Sequence, residues 1–190
     1  MTRTETINRL IQENGYESYL EIGLGDGRNF RSVKCDYKVG IDPEFKDKKP
    51  IDEKGNLHDI VGLTSDSFFD TWKSDSFDLI FIDGLHHADQ VEKDIVNAWN
   101  CLNKGGAILI HDIKPHDEAM TIVPREQKIW TGDVFRAWHG FKETYPKIKT
   151  EYIEETYGLG LIWKSRHKVE CRFVSDITAK EYIENQAWQS

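Results

Sequence analysis

Asp83, His86 and His87 in "IDGLHH", and His111 with Asp112 in "LIHDI", are the side chains best suited to move a proton or hold a cation. Carboxylates and imidazoles together can bind a divalent metal, and a neutral imidazole near physiological pH can take a hydroxyl proton. Each run closes an apolar stretch, "FDLIFID" and "AILIH", so the five residues gather at one crevice if those stretches are strands of one open sheet. His86 is the stronger catalytic choice. The plainer readings are a polar strand end that caps backbone groups for His111 and Asp112, and a solvated helix start for His87.

A second group lies in "YLEIGLGDGRNF", where Gly23, Gly25 and Gly27 stand at every second position behind a short apolar strand. Glycine brings no Cβ and reaches positive φ, so a ligand can lie directly against such a turn. Asp42 closes the next strand about twenty residues on, where a carboxylate can accept both hydroxyls of a ribose. Together these point to an adenosine-containing cofactor. A dinucleotide fingerprint would need its third glycine at position 28, which is Arg28. Glu21 before the first glycine repels a pyrophosphate but suits a cationic ligand, and S-adenosylmethionine carries a sulfonium and an ammonium.

The elements that must position these residues alternate. Thr2 and Glu5 form a capping-box pattern ahead of Ile7, Leu10 and Ile11, and Gly15 can end that helix. Strands follow at "SYLEIG" and "YKVGID". The polar stretch "PEFKDKKPIDEKGN" reads as a loop before "LHDIVGLTS". "FDLIFID" is a continuous apolar run of the kind buried on both faces in a parallel sheet. Val91, Ile95, Ala98, Trp99 and Leu102 recur at helical spacing, "NKGG" supplies the stop, and "AILIH" is the next strand. A helix carries Val134, Phe135, Trp138, Phe141 and Tyr145 on one face. The C-terminal third turns β-rich: "KIKTEYIEET" and "LGLIWKS" form a hairpin, and "VECRFV" extends the sheet or packs at its edge. This pattern specifies an α/β domain across residues 1–190, with a core at about 18–164 and a C-terminal extension at 165–190.

Composition narrows the partners. A formal net charge of -8 with scattered basic residues argues against a nucleic-acid surface. No apolar run approaches the length of a membrane span, and the start "MTRTETINRLIQENG" lacks the apolar stretch of a signal peptide, so no membrane partner and a cytoplasmic location are expected. Cys35, Cys101 and Cys171 show no metal or disulfide spacing and read as reduced and structural.

The chain resembles a class I S-adenosylmethionine-dependent methyltransferase. "LEIGLGDGRNF" is similar to that superfamily's first motif, "GIDPE" to its ribose-binding acidic loop, and "LTSDSFF" to the loop flanking adenine. The run from Phe77 to Ile113 resembles a subgroup related to catechol and macrolide-sugar O-methyltransferases. The resemblance implies a single Rossmann-like, doubly wound sheet of seven strands in the order 3-2-1-4-5-7-6, the last strand antiparallel. It implies that Glu21 and Gly23 face the methionine part, Asp42 the ribose, and Ser65 with Asp66 the adenine, with Gly25, Gly27 and Asp83 also binding the cofactor; Asp66 reads equally as a helix N-cap. It implies a divalent cation, magnesium or a transition metal, on Asp83, His111 and Asp112, although His111 stands where metal-dependent relatives have an acid. It makes His86, three residues after Asp83, the general base; on a helix beginning after Asp83 successive side chains point about 100° apart, so His87 cannot face the crevice equally.

The implied reaction methylates a hydroxyl of a small-molecule or sugar acceptor. A dinucleotide-dependent oxidoreductase, an iron-dependent oxidation and a non-catalytic binding protein are the alternatives, and a homo-oligomer is left open. Lys114, Arg125 and Lys128 offer a cationic rim from the loop 114–130, the expected cover of the site. Trp130 could stack on a ring, while Trp138 suits the core.

Overall fold

The computed structural model describes residues 1–45, 59–72 and 76–189, with Asp59 described in its backbone alone. The elements are α1 (Arg3–Asn14), β1 (Ser18–Ile22), α2 (Arg28–Ser32), β2 (Tyr37–Ile41), β3 (Asp59–Val61), α3 (Ser65–Thr71), β4 (Phe77–Ile82), α4 (Ala88–Cys101), β5 (Leu102–His111), α5 (Val134–Thr144), β6 (Thr150–Ile153), β7 (Leu159–Trp163) and α6 (Ala179–Glu184). A 3₁₀ turn spans Glu118–Thr121. The seven strands form one sheet in the order β3-β2-β1-β4-β5-β7-β6, as expected. The pairs from β3 through β5 are parallel, and β7 runs antiparallel to both β5 and β6.

Strand period explains the layering, because successive side chains leave a strand on opposite faces. Leu20, Ile22, Ile80, Ile82, Ile108 and Ile110 pack on one face against Phe68 of α3, Ile95 and Trp99 of α4, and Phe135, Trp138 and Phe141 of α5. Tyr19, Leu79, Phe81, Ala107 and Leu109 pack on the other against Ile7, Leu10 and Ile11 of α1 and Phe30 of α2. The helix ends obey local chemistry. Thr2 and Glu5 close the capping box on α1, and Gly15, at φ 65°, ends it with its N–H on Ile11 O. Thr64, not Asp66, caps α3.

Three expectations are corrected. "NKGG" is no stop: residues 103–106 lie inside β5, whose pairing with β4 is irregular between Phe77 and Leu79. Gly106 is needed there because a Cβ would meet Asp78 O at 2.5 Å. "VECRFV" joins no strand. Its backbone instead crosses α4, where Glu92 Oε1 accepts from the N–H groups of Arg172, Phe173 and Val174. The helix after Asp83 starts only at Ala88, so His86 and His87 sit on the loop before it. Most of the loop expected after Asp42 lies outside the described residues.

Candidate active site

A cavity of about 690 Å³ opens at the carboxyl ends of β1, β4 and β5. Its wall on the β1 side is the glycine turn, and the glycines there differ in purpose. A Cβ on Gly23 would lie 2.1 Å from Asp83 O, so this residue lets the ends of β1 and β4 close on each other. A Cβ on Gly25 would meet nothing within 4 Å; at φ 53° it leaves the backbone open toward the cavity. Gly27 starts α2 with a left-handed backbone and faces Phe45, outside the cavity lining. Asp42 also stands outside. Its Oδ2 accepts from Leu24 N and Gly25 N, at 3.0 and 3.1 Å, and so holds the turn from behind.

Glu21 is buried beneath the turn, accepting from Tyr19 Oη at 2.6 Å and Asn29 Nδ2 at 2.9 Å. Burial pushes its carboxyl up to about 8 in spite of those two donors. Ser65 and Asp66 do not reach the cavity: both accept from Gln90 Nε2 of α4, at 3.2 and 2.9 Å, tying α3 to α4.

The floor is the acid and histidine cluster. His111 and Asp112 are consecutive and would point to opposite faces of an extended strand. Asp112 takes φ 62°, a left-handed conformation that Asp tolerates better than most residues, and this turns its carboxylate back beside its neighbour. His111 Nδ1 consequently lies 3.2 Å from both Asp83 Oδ1 and Asp112 Oδ2, and its Nε2 lies 3.2 Å from Glu155 Oε2. Burial opposes a charge on His111, but Asp83, Asp112 and Glu155 outweigh it and hold the imidazole protonated well above its ordinary range. Burial likewise opposes ionisation of Asp83, and His111, His86 and Arg3 outweigh it, holding that carboxyl well below the usual range.

His86 places Nε2 3.5 Å from Asp83 Oδ1 and Nδ1 3.3 Å from Asp112 Oδ2. The second approach is close but misaligned, leaving Nδ1 buried without a hydrogen bond. The two carboxylates raise the His86 pKa against its burial. Asp83, His86 and Asp112 offer one ligand atom each within 4.8 Å of one another, and the unpartnered Nδ1 makes that set fit a divalent cation. His111, expected among the ligands, has Nε2 turned to Glu155.

The loop before α5 does cover the site. Trp130 stacks on His86 with ring centroids 5.2 Å apart at 14°, and its Nε1 donates to Ile122 O at 2.6 Å. Arg125 lies over the same indole, 5.8 Å from its centroid. Arg125 and Lys128 line the cavity, but Lys114 pairs with Glu154 outside it. Trp138 is wholly buried in the core, and His87 meets the edge of Trp130 without lining the cavity. Arg3, Asn29 and Glu155 are among the site residues that escaped sequence reasoning. Arg3, at the start of α1, donates to Asp83 Oδ2 at 2.7 Å; Asn29 joins Glu21 to Thr4; Glu155 closes the floor from the β6–β7 connection. Arg3 and Glu155 arrive from elements distant in sequence, so nothing local marks them, whereas Asn29 stands inside the glycine-rich stretch, eight residues after Glu21.

Residues 20–113 match the family model described as a methyltransferase domain. No curated protein sequence matches the chain. Among solved structures, an O-methyltransferase from Bacillus cereus in complex with S-adenosylhomocysteine (SAH) aligns with TM-score 0.63 at 16% identity, covering 86% of this chain and 80% of that one. The O-methyltransferase TomG from Streptomyces achromogenes, in complex with S-adenosylmethionine (SAM), aligns at 0.61 and 14% over 86% and 79%. The N-methyltransferase NodS from Bradyrhizobium japonicum aligns at 0.59 and 15% over 86% and 95%. At such identities the likeness is one of fold. The domain match, together with the sheet order and the glycine turn, makes the chain similar over residues 20–113 to the class I S-adenosylmethionine-dependent methyltransferases.

Proposed function

We propose that the protein transfers the methyl group of SAM to a hydroxyl of a small-molecule or sugar acceptor. One observation carries the reading: the glycine turn and the Asp83, His86, Asp112 cluster line the same cavity, so a methyl group presented by the first can meet an oxygen held by the second. Gly23 and Gly25 take the methionine part, and Glu21 lies beneath it, its carboxyl giving up its proton as a cationic group binds. Asp42 is assigned the ribose through the lone pairs its turn contacts leave open, and Ser65 and Asp66 the adenine side.

The acceptor oxygen attacks the methyl carbon in line with sulfur, the C–S electron pair returns to sulfur, and SAH leaves. The hydroxyl proton goes to the imidazole of His86, which lines the cavity. The imidazolium that forms lies between the carboxylates of Asp83 and Asp112, which stabilise its charge. Most of the acceleration comes from alignment within the cavity. A divalent cation, held by Asp83, Asp112 and one of the two histidines, would lower the pKa of the acceptor hydroxyl.

The test is a thermal-shift series. SAH should raise the melting temperature by mass action and NAD should not. Stabilisation by NAD alone would overturn the cofactor assignment. A nitrogen acceptor is the second reading, favoured by the fold likeness to NodS. Methyl-transfer assays on matched hydroxyl and amino compounds separate the two.

A further inference from the structure

The mouth of the cavity differs in kind from its floor. On the floor the carboxylates have partners: Glu21 has Tyr19 and Asn29, Asp83 has Arg3 and His111, and Asp112 has His111. The mouth is built by Leu85 and the segment 122–130. Among the described residues six large hydrophobic side chains are exposed, and four of them stand here: Leu85 at 54%, Ile122 at 40%, Val123 at 39% and Ile129 at 56%. They neighbour the site in chain and contact: Trp130 donates to Ile122 O, beside Val123, while stacking on His86, the neighbour of Leu85, and Ile129 lines the cavity itself.

Arg125 and Lys128 line the same cavity beside this apolar rim. Arg125 directs Nε and Nη2 at the carbonyls of Gln127 and Lys128, and among the described contacts neither cation meets a carboxylate. An exposed apolar rim is unfavourable unless something covers it in use, and two cations uncompensated by acids select an anion. A membrane surface would satisfy the rim but leave the polar cavity behind it unused.

Resting on the methyl-transfer reading above, the geometry points to an amphiphilic anion as the acceptor. Its hydroxyl-bearing end enters to the floor, its apolar body lies across Leu85, Ile122, Val123 and Ile129, and its carboxylate or phosphate meets Arg125 and Lys128.

The experiment titrates the SAH-loaded protein by calorimetry with dodecyl phosphate, dodecanoate, dodecyl glucoside and inorganic phosphate, each kept below its micelle concentration. One-site binding of either anionic amphiphile, at least about tenfold tighter than of the glucoside or of phosphate, is expected. The two anionic arms tell phosphate from carboxylate. The double variants Arg125→Gln/Lys128→Gln and Ile122→Ser/Ile129→Ser alter exposed or rim side chains and should each lose about tenfold or more in that affinity. Equal affinities across the four probes, or double variants that bind like the parent, would overturn the inference. So would co-sedimentation with phosphatidylglycerol vesicles without one-site binding of the monomeric amphiphile, which assigns the rim to a membrane. Failure of SAH to bind the parent would sink the methyl-transfer reading instead, and is read separately.

Discussion

Glu21 and His86 are held in opposite electrostatic circumstances, and each makes a separate prediction. Burial raises the Glu21 carboxyl to about 8, so from about pH 5 to 8 the folded protein binds a proton that the unfolded chain does not. Stability contributed by this site is therefore lost as pH rises through that window. Glu21→Gln keeps the acceptor for Tyr19 and Asn29 but has no proton to lose. Melting curves of parent and variant should diverge between pH 5 and 8.5, the parent falling; parallel curves would refute the buried-carboxyl account. For His86, a nitrogen lone pair cannot both ligate a metal and receive a proton. If His86 is the base, His86→Ala should keep SAH affinity and metal response yet lose about 10²- to 10⁴-fold in turnover. Loss of the metal response would make it a ligand. His87→Ala should change little, because His87 meets the edge of Trp130 and is not in the cavity lining.

Among the elements, the segment after β7 makes a role visible that its sequence concealed. Glu92 of α4 gathers three consecutive backbone N–H groups, from Arg172 to Val174. Gly140 of α5 lies so close to this segment that a Cβ would sit 1.5 Å from Phe173 O. The tail is thus docked by backbone contacts that no side-chain pattern announces. Glu92→Ala should cost about 1.5–3 kcal/mol, the usual range for hydrogen bonds to a charged acceptor, and Gly140→Ala about 1–3 kcal/mol through overpacking. Both should speed proteolysis after residue 165, measured against the parent under native conditions. Unchanged cleavage in both variants would show that the tail is held elsewhere.

Across the molecule, the extension and the site are one structure. Tyr182 of α6 donates to Ile113 O at 2.8 Å, next to the left-handed Asp112, while Phe173, Tyr182 and Trp188 complete the cluster around α4 and α5. The core therefore extends beyond residue 164. Removing residues 166–190 should uncover that face and cost the near-ultraviolet circular dichroism that reports fixed aromatic packing. A truncated protein with the parent's near-ultraviolet spectrum would restore the extension to an accessory role. No helix among the described residues is long and apolar enough to cross a membrane.

What local pattern can encode was legible in the chain. Short apolar runs marked β1 and β4, period-3.6 spacing marked α4 and α5, and the capping box marked α1; strand ends placed Asp83, His86, His111 and Asp112 at one crevice, while His87, expected with them, is not in its lining. Such signals are short-range, so residues within a few positions of each other carry them. The pairing of side chains across the sheet was not legible. Gly23 serves the approach of β4, Asp42 holds the turn, Ser65 and Asp66 bind Gln90, and Arg3 reaches Asp83 across 80 residues. The "NKGG" run became part of β5 because strand pairing outweighed the turn tendency of its glycines. These outcomes depend on which elements the fold brings into contact and on the φ of single residues such as Asp112, and contacts distant in sequence leave no local trace for a pattern to record.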